Sequence, residues 1–143
     1  LSIPDAIGYV MAKKYNVKPT GNAGLIDPSS FNFELERGKI NRDKLIQNID
    51  NGILITNIWY TRFNNYSTGE FSTIPRDGMF LIRNGKIVQS LKNLRVSDNM
   101  LRMLKDIEKI GSNSEQVVSW EAETNVTCPS ILIKNVNITK AKE

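Results

Sequence analysis

Met79-Phe80-Leu81-Ile82-Arg83-Asn84-Gly85-Lys86-Ile87-Val88-Gln89 places two apolar runs on either side of an Asn-Gly pair. That pair favours a type I′ turn, whose two central residues both need positive φ, so the stretch predicts an antiparallel hairpin. Upstream, Ile53-Leu54-Ile55-Thr56-Asn57-Ile58-Trp59-Tyr60-Thr61-Arg62-Phe63 carries the strongest strand signal in the chain, rich in β-branched and aromatic residues. It is expected to run as one strand, with Trp59, Thr61 and Phe63 on one face and Tyr60, Arg62 and Asn64 on the other. The turn Asn65-Tyr66-Ser67-Thr68-Gly69 then returns the chain antiparallel through Glu70 to Thr73.

Helices are expected in three places. Ser2-Ile3-Pro4-Asp5 reads as a helix entry, and Ile7, Val10, Met11 and Tyr15 recur at helical spacing through Asn16. Asn41 caps a second helix running to Asp50, with Leu45, Ile46 and Ile49 inward and Asn51-Gly52 as its terminator. Ser97 or Asp98 caps a third, in which Met100, Leu101, Leu104, Ile107 and Ile110 form the apolar stripe and Gly111 the stop. Phe31 to Leu35, Gln116 to Glu121 and Ser130 to Ile138 read as further strands, whereas the prolines and glycines of Lys18 to Ser30 make a loop. The expectation is a single α+β domain over residues 1–143, with a mainly antiparallel mixed sheet and about three helices.

The composition of these 143 residues excludes several classes of function. There is no histidine, which removes the commonest metal ligand and general base, and there is one cysteine, Cys128. An intramolecular disulfide is therefore impossible, and a reducing compartment fits. No apolar run reaches the ~20 residues of a membrane span, so no membrane partner is expected. The net charge of +4 is spread along the chain, which favours a solvated surface over a nucleic-acid patch. Leu1 stands where an initiator Met would, and the chain reads as cut from something longer.

Candidate chemistry is thin. Cys128, in Asn125-Val126-Thr127-Cys128-Pro129, lies in an expected connection between strands; zinc wants three or four ligands, and one thiol without imidazole reads equally as a small buried hydrophobe. The aspartates are scattered and form no acid/base couple. The aromatic strand around Trp59 could be ordinary sheet, could stack on single-stranded bases, or could pair along its edge with an extended peptide. Lys18-Pro19-Thr20-Gly21-Asn22-Ala23-Gly24 contains glycines but no Gly-Lys-Ser/Thr ending, so it is not a phosphate loop.

The order of several segments carries a resemblance. It begins with Ala12-Lys13-Lys14-Tyr15-Asn16-Val17-Lys18 and Pro19-Thr20-Gly21-Asn22-Ala23-Gly24. It continues with Asp50-Asn51-Gly52-Ile53-Leu54-Ile55-Thr56 and Tyr66-Ser67-Thr68-Gly69-Glu70-Phe71-Ser72. Ile82-Arg83-Asn84-Gly85-Lys86-Ile87 and Ile107-Glu108-Lys109-Ile110-Gly111-Ser112 complete it. Together they resemble the C-terminal half of the TldD/PmbA family, once called modulators of DNA gyrase. The resemblance implies longer, cytoplasmic metalloproteases that trim or degrade peptides as homodimers or as heterodimers with a paralogue. In active members it implies zinc held by the histidines of an HExxxH helix, whose Glu is the general base, and by a cysteine near the C-terminus. PmbA-type members lack that helix and act as non-catalytic partners. HExxxH is absent here, and Pro129 follows Cys128 where the family usually has glycine.

The resemblance thus implies no catalytic residue in this chain and Cys128 as its one candidate zinc ligand, the other ligands lying in the N-terminal half of the protein. Asn57, Trp59 and Thr61 of the aromatic strand, with Thr20, Gly21 and Asn22 of the loop, are the candidate peptide-channel residues. Two other readings stay open: a nucleic-acid-associated binding module and a purely dimerising partner subunit.

Overall fold

The computed structural model describes residues 9–19, 32–122 and 124–140. In chain order the elements are α1 (Tyr9–Tyr15), β1 (Asn32–Glu34), α2 (Arg42–Gln47), β2 (Asn51–Ile55), β3 (Trp59–Asn65), β4 (Glu70–Ile74), β5 (Met79–Arg83) and β6 (Lys86–Ser90). They continue as β7 (Leu94–Asn99), α3 (Met100–Lys105), β8 (Ile107–Ile110), β9 (Glu115–Val117), β10 (Asn125–Cys128), β11 (Ile131–Ile133) and β12 (Ile138–Lys140). Strands dominate, and each helix is six or seven residues long. The α+β expectation holds in outline, but four separate sheets replace the one mixed sheet. No helix among the described residues is long and apolar enough to cross a membrane.

The chain divides into two compact units, one from Leu1–Glu36 with Glu115–Cys128 and one from Arg37–Ser114 with Pro129–Glu143. In the first, α1 ends where Asn16 takes φ +53° and the Val17 N–H donates to Ala12 O at 2.9 Å. This is the left-handed stop that Asn tolerates better than most residues. The entry expected at Ser2 to Asp5 lies outside the described residues. The sheet of this unit has the order β1-β10-β9, with β1 parallel to β10 and β9 antiparallel to it.

The second unit holds three sheets, β2-β5-β6, β12-β7-β4-β3 and β11-β8, all antiparallel. Its buried apolar side chains are Leu45, Phe71, Met79, Ile82 and Val96. The Asn-Gly hairpin forms as expected, with Asn84 at φ +48° and Gly85 at φ +73°. Its tip also docks on the chain end of α2: the Asn84 N–H donates to Asp50 O and the Gly85 N–H to Ile49 O, each at 2.8 Å. A Cβ on Gly85 would come within 2.6 Å of Gln47 O, so the glycine answers both to φ and to space.

Four expectations are corrected. Asn51-Gly52 does not terminate α2, which ends at Gln47 with Asn48 as cap. Gly52 lies in β2 opposite Ile82, where a Cβ would come within 2.7 Å of Ile49 Cγ2. Ile53 to Phe63 is not one strand but two, in different sheets. The third helix begins after Asn99, whose side chain accepts from the Arg102 N–H at 3.1 Å. Leu94–Asn99 is the strand β7, and Ile107 to Ile110 pair with β11 rather than extending the helix. Leucine and isoleucine at three-residue spacing satisfy a helix and a helix-to-strand junction alike. Finally, Ser130 to Ile138 breaks at Asn135, φ +56°, into β11 and β12.

Candidate functional site

The break within Ile53 to Phe63 builds the most distinctive polar surface of the second unit. Thr56 leaves β2 and clamps Gly78: its Oγ1 accepts from the Gly78 N–H at 2.8 Å, and its own N–H donates to Gly78 O at 2.9 Å. Asn57 Nδ2 donates to Asp77 Oδ2 at 2.8 Å. The chain thus re-enters a second sheet as β3 beside the Arg76-Asp77-Gly78 connection. Tyr60 makes the turn with φ +55°, a conformation costly for an aromatic residue. The register with β4 is irregular between Trp59↔Ile74 and Arg62↔Ser72.

Two guanidinium groups converge on Tyr60, which is 45% exposed. Arg76 Cζ lies 4.6 Å from the ring centroid and Arg62 Cζ 5.4 Å, within the range of cation–π attraction. Arg62 also donates through Nη1 to Thr61 O at 3.1 Å. From there β3 alternates as expected: Thr61 and Phe63 are half-buried, and Arg62 and Asn64 are exposed. Arg62 stands opposite Ser72, and Ser72 opposite Ser97, so the three share one face of the sheet. Arg95 joins them, donating through Nη1 to Ser72 Oγ at 2.7 Å, while the Ser72 and Ser97 hydroxyls lie in contact at 3.1 Å. Among the described residues β3 pairs only with β4, which leaves it a sheet edge.

Of the sequence candidates, Asn57, Trp59 and Thr61 come together at the start of β3. Asn57 uses its amide to hold Asp77, and Thr61 is half-buried on the inner face. Thr20, Gly21 and Asn22 lie outside the described residues. The sequence reading missed Arg76 and Arg95 altogether. Arg76 passed as the opening of a strand, and Arg95 precedes a strand that was taken for a helix start. Tyr60 gave no signal either, because periodicity carries no information about the sign of φ.

Cys128 is the last residue of β10, not part of a connection, and stands opposite Glu115 of β9. Burial first, and the Glu115 charge second, push its thiol above the ordinary value. Among the described residues no three His, Cys, Asp or Glu side chains gather as a metal-binding group. A single sulfur without imidazole does not fit a metal centre, and this chain alone does not complete one. Because the thiolate is the reactive form, Cys128 is expected to alkylate with iodoacetamide several-fold more slowly than a free thiol at pH 8. Unfolding in urea should restore the rate; equal rates in both states would contradict the half-buried, neutral thiol.

Comparison with known proteins adds a lineage to this geometry. The sequence matches the family described as PmbA/TldA metallopeptidase C-terminal domain over residues 7–140. It is 25% identical over 132 residues to the metalloprotease PmbA homolog of Buchnera aphidicola, covering 90% of this chain and 26% of that protein. Among solved structures, a candidate modulator of a DNA gyrase from Thermotoga maritima superposes with a TM-score of 0.79 at 26% identity, over 92% of this chain and 29% of that one. A candidate modulator of DNA gyrase from Bacteroides thetaiotaomicron reaches 0.67 at 29% identity, over 94% and 28%. TldE from Thermococcus kodakarensis reaches 0.72 at 25% identity, over 90% and 29%. The chain therefore spans little more than a quarter of the length of these relatives.

Proposed function

The chain belongs to the PmbA/TldD metallopeptidase family, as its C-terminal domain, and from that premise we propose that it is the peptide-presenting scaffold of a peptide-trimming metalloprotease. The observation that carries the reading is the donor inventory: no histidine, one cysteine, and no metal-binding cluster among the described residues. A hydrolytic metal needs ligands that this domain does not possess. What the domain does offer is an edge, since β3 can extend its sheet by pairing main chain to main chain with an extended peptide. Such pairing accepts many sequences, as a trimming enzyme requires.

In this proposal zinc is held by residues beyond the domain, and Cys128 is the single sulfur donor the domain can add to it. Its thiol would have to lose a proton on coordination, which makes that contribution weaker at low pH. The remainder of the protein and a second subunit, either identical or a paralogue, are the proposed partners. A cytoplasmic setting accords with the lone cysteine.

The test is direct. The purified 143-residue chain, supplied with zinc, is expected to leave casein and fluorogenic peptides intact, with and without a chelator. It should nevertheless bind extended peptides, shifting the backbone amide signals of β3. Turnover that a chelator abolishes would overturn the scaffold reading; binding that leaves β3 unshifted would overturn the edge.

A further inference from the structure

The β3 edge carries more chemistry than a neutral strand needs. A strand added along it must alternate, as β3 does, between the inner and outer faces of the sheet. Its inner-face residues would lie beside Thr61 and Phe63, both half-buried, with the Phe63 and Tyr66 rings 5.2 Å apart at the far end. Its outer-face residue opposite Arg62 would meet a different environment: the Arg62 and Arg76 guanidinium groups on the two approaches to Tyr60, and Arg95 one strand further in on Ser72.

Two cations held against one ring repel each other, and the strained φ of Tyr60 helps to keep them there. An arrangement that concentrates positive charge at one register position is complementary to a negative side chain at that position. Arginine, with its fork of donors, suits a carboxylate better than lysine would. Acid groups of the chain itself are placed elsewhere or engaged: Asp77 accepts from Asn57, and Glu70 lies at the other end of the same face, opposite Asn99.

We propose that the β3 edge is an acidic-peptide subsite, in which Arg62 and Arg76, set by Tyr60, bind an Asp or Glu side chain flanked by apolar residues. This rests on the edge-pairing reading above and adds to it a substrate class. The occupant is an internal acidic side chain rather than a chain terminus, because β3 continues three residues beyond Arg62 and a peptide paired along its whole length passes that position.

Two fluorescent peptides of alternating Val and Thr, blocked at both ends and differing only by Glu or Gln at one central position, separate the possibilities. The full chain is expected to bind the Glu peptide about tenfold more tightly at low salt, with the preference shrinking as salt rises. Arg62→Gln and Arg76→Gln should each remove most of the preference while leaving the Gln peptide's affinity in place, which shows that the edge is intact. Arg76→Lys should keep part of it.

Equal binding of both peptides to the unsubstituted chain overturns the acidic subsite but leaves the edge standing. Binding of neither overturns both. A preference that survives both Gln substitutions overturns the assignment to these arginines, and so does a substitution that abolishes binding of the Gln peptide as well. If the free C-terminal acid of the Gln peptide binds as tightly as the Glu peptide, the pair reads chain termini and the proposal fails. Tighter binding of a single-stranded oligonucleotide, competing at the same site, makes this a base-stacking surface and also refutes it.

Discussion

Phe71→Ala is expected to destabilise the chain by about 3–5 kcal/mol, because a large aromatic side chain leaves a cavity that a sheet cannot close. Phe71 is 2% exposed and stands on β4 between Phe63 of β3 and Asp98 of β7. Its ring lies 6.3 Å from that of Phe63, tilted by 54°. The melting temperature should fall by about 10–15 °C for a chain of this size. Val88→Ala, at a position 56% exposed on β6, is the control and should change stability by no more than about 0.5 kcal/mol. The loss also has a functional edge. Among the described residues β3 is held in its sheet by β4 alone, so hydrogen exchange of the β3 amides should accelerate more than that of β5. A Phe71→Ala chain that melts near the Val88→Ala control would show that this layer is not the core.

What could be read in advance follows from the range of the interactions involved. The Asn84-Gly85 turn, the Asn41 cap and the Asn65 to Gly69 return are decided by neighbours within a few residues, and all three form where the residues predict them. Breaks inside apolar runs are decided at long range. Thr56 leaves β2 because Gly78, twenty-two positions away, takes its hydrogen bonds. Met100 to Ile110 stops being a helix because Ile107 to Ile110 find partners in β11. Helical and strand periods cannot be told apart over four residues. The site suffered most from this. Its face is assembled from β3, β4, β7 and the connection after β4, so Arg62 was visible as an exposed residue while Arg76 and Arg95 were not. The family, by contrast, was legible, since it depends on the order of many short segments and not on where any one strand ends.

Asp98→Asn is expected to cost about 2–3 kcal/mol at pH 7, and the cost should shrink in acid. The Asp98 side chain is 2% exposed, and its carboxylate is surrounded by donors. Oδ1 accepts from the Asn99 N–H at 2.6 Å and from Arg102 Nε at 3.0 Å; Oδ2 accepts from the Asn137 N–H at 2.8 Å and from Arg102 Nη2. Arg102 continues to Asp106 Oδ2 at 2.9 Å and to Asn135 O at 3.0 Å. The carboxylate therefore ties the end of β7 and the start of α3 to the segment between β11 and β12.

Burial opposes its charge, but the hydrogen bonds from Arg102, Asn137 and Asn99 outweigh that and hold the carboxyl below its ordinary 3.8. A carboxyl lowered on folding adds stability in full above its unfolded value near 4, and that stability is lost as pH falls through the folded value. The difference between the parent chain and Asp98→Asn in urea should accordingly be constant from pH 7 to about pH 5 and narrow below pH 4. The ion pair itself is the smaller part, because Arg102 is 40% exposed and solvent screens it. Arg102→Met should thus cost less than Asp98→Asn, since the two backbone donors keep their acceptor. An equal or larger loss for Arg102→Met, or a gap for Asp98→Asn that persists unchanged to pH 2.5, would mean that the charge pair and not the backbone anchorage holds this junction.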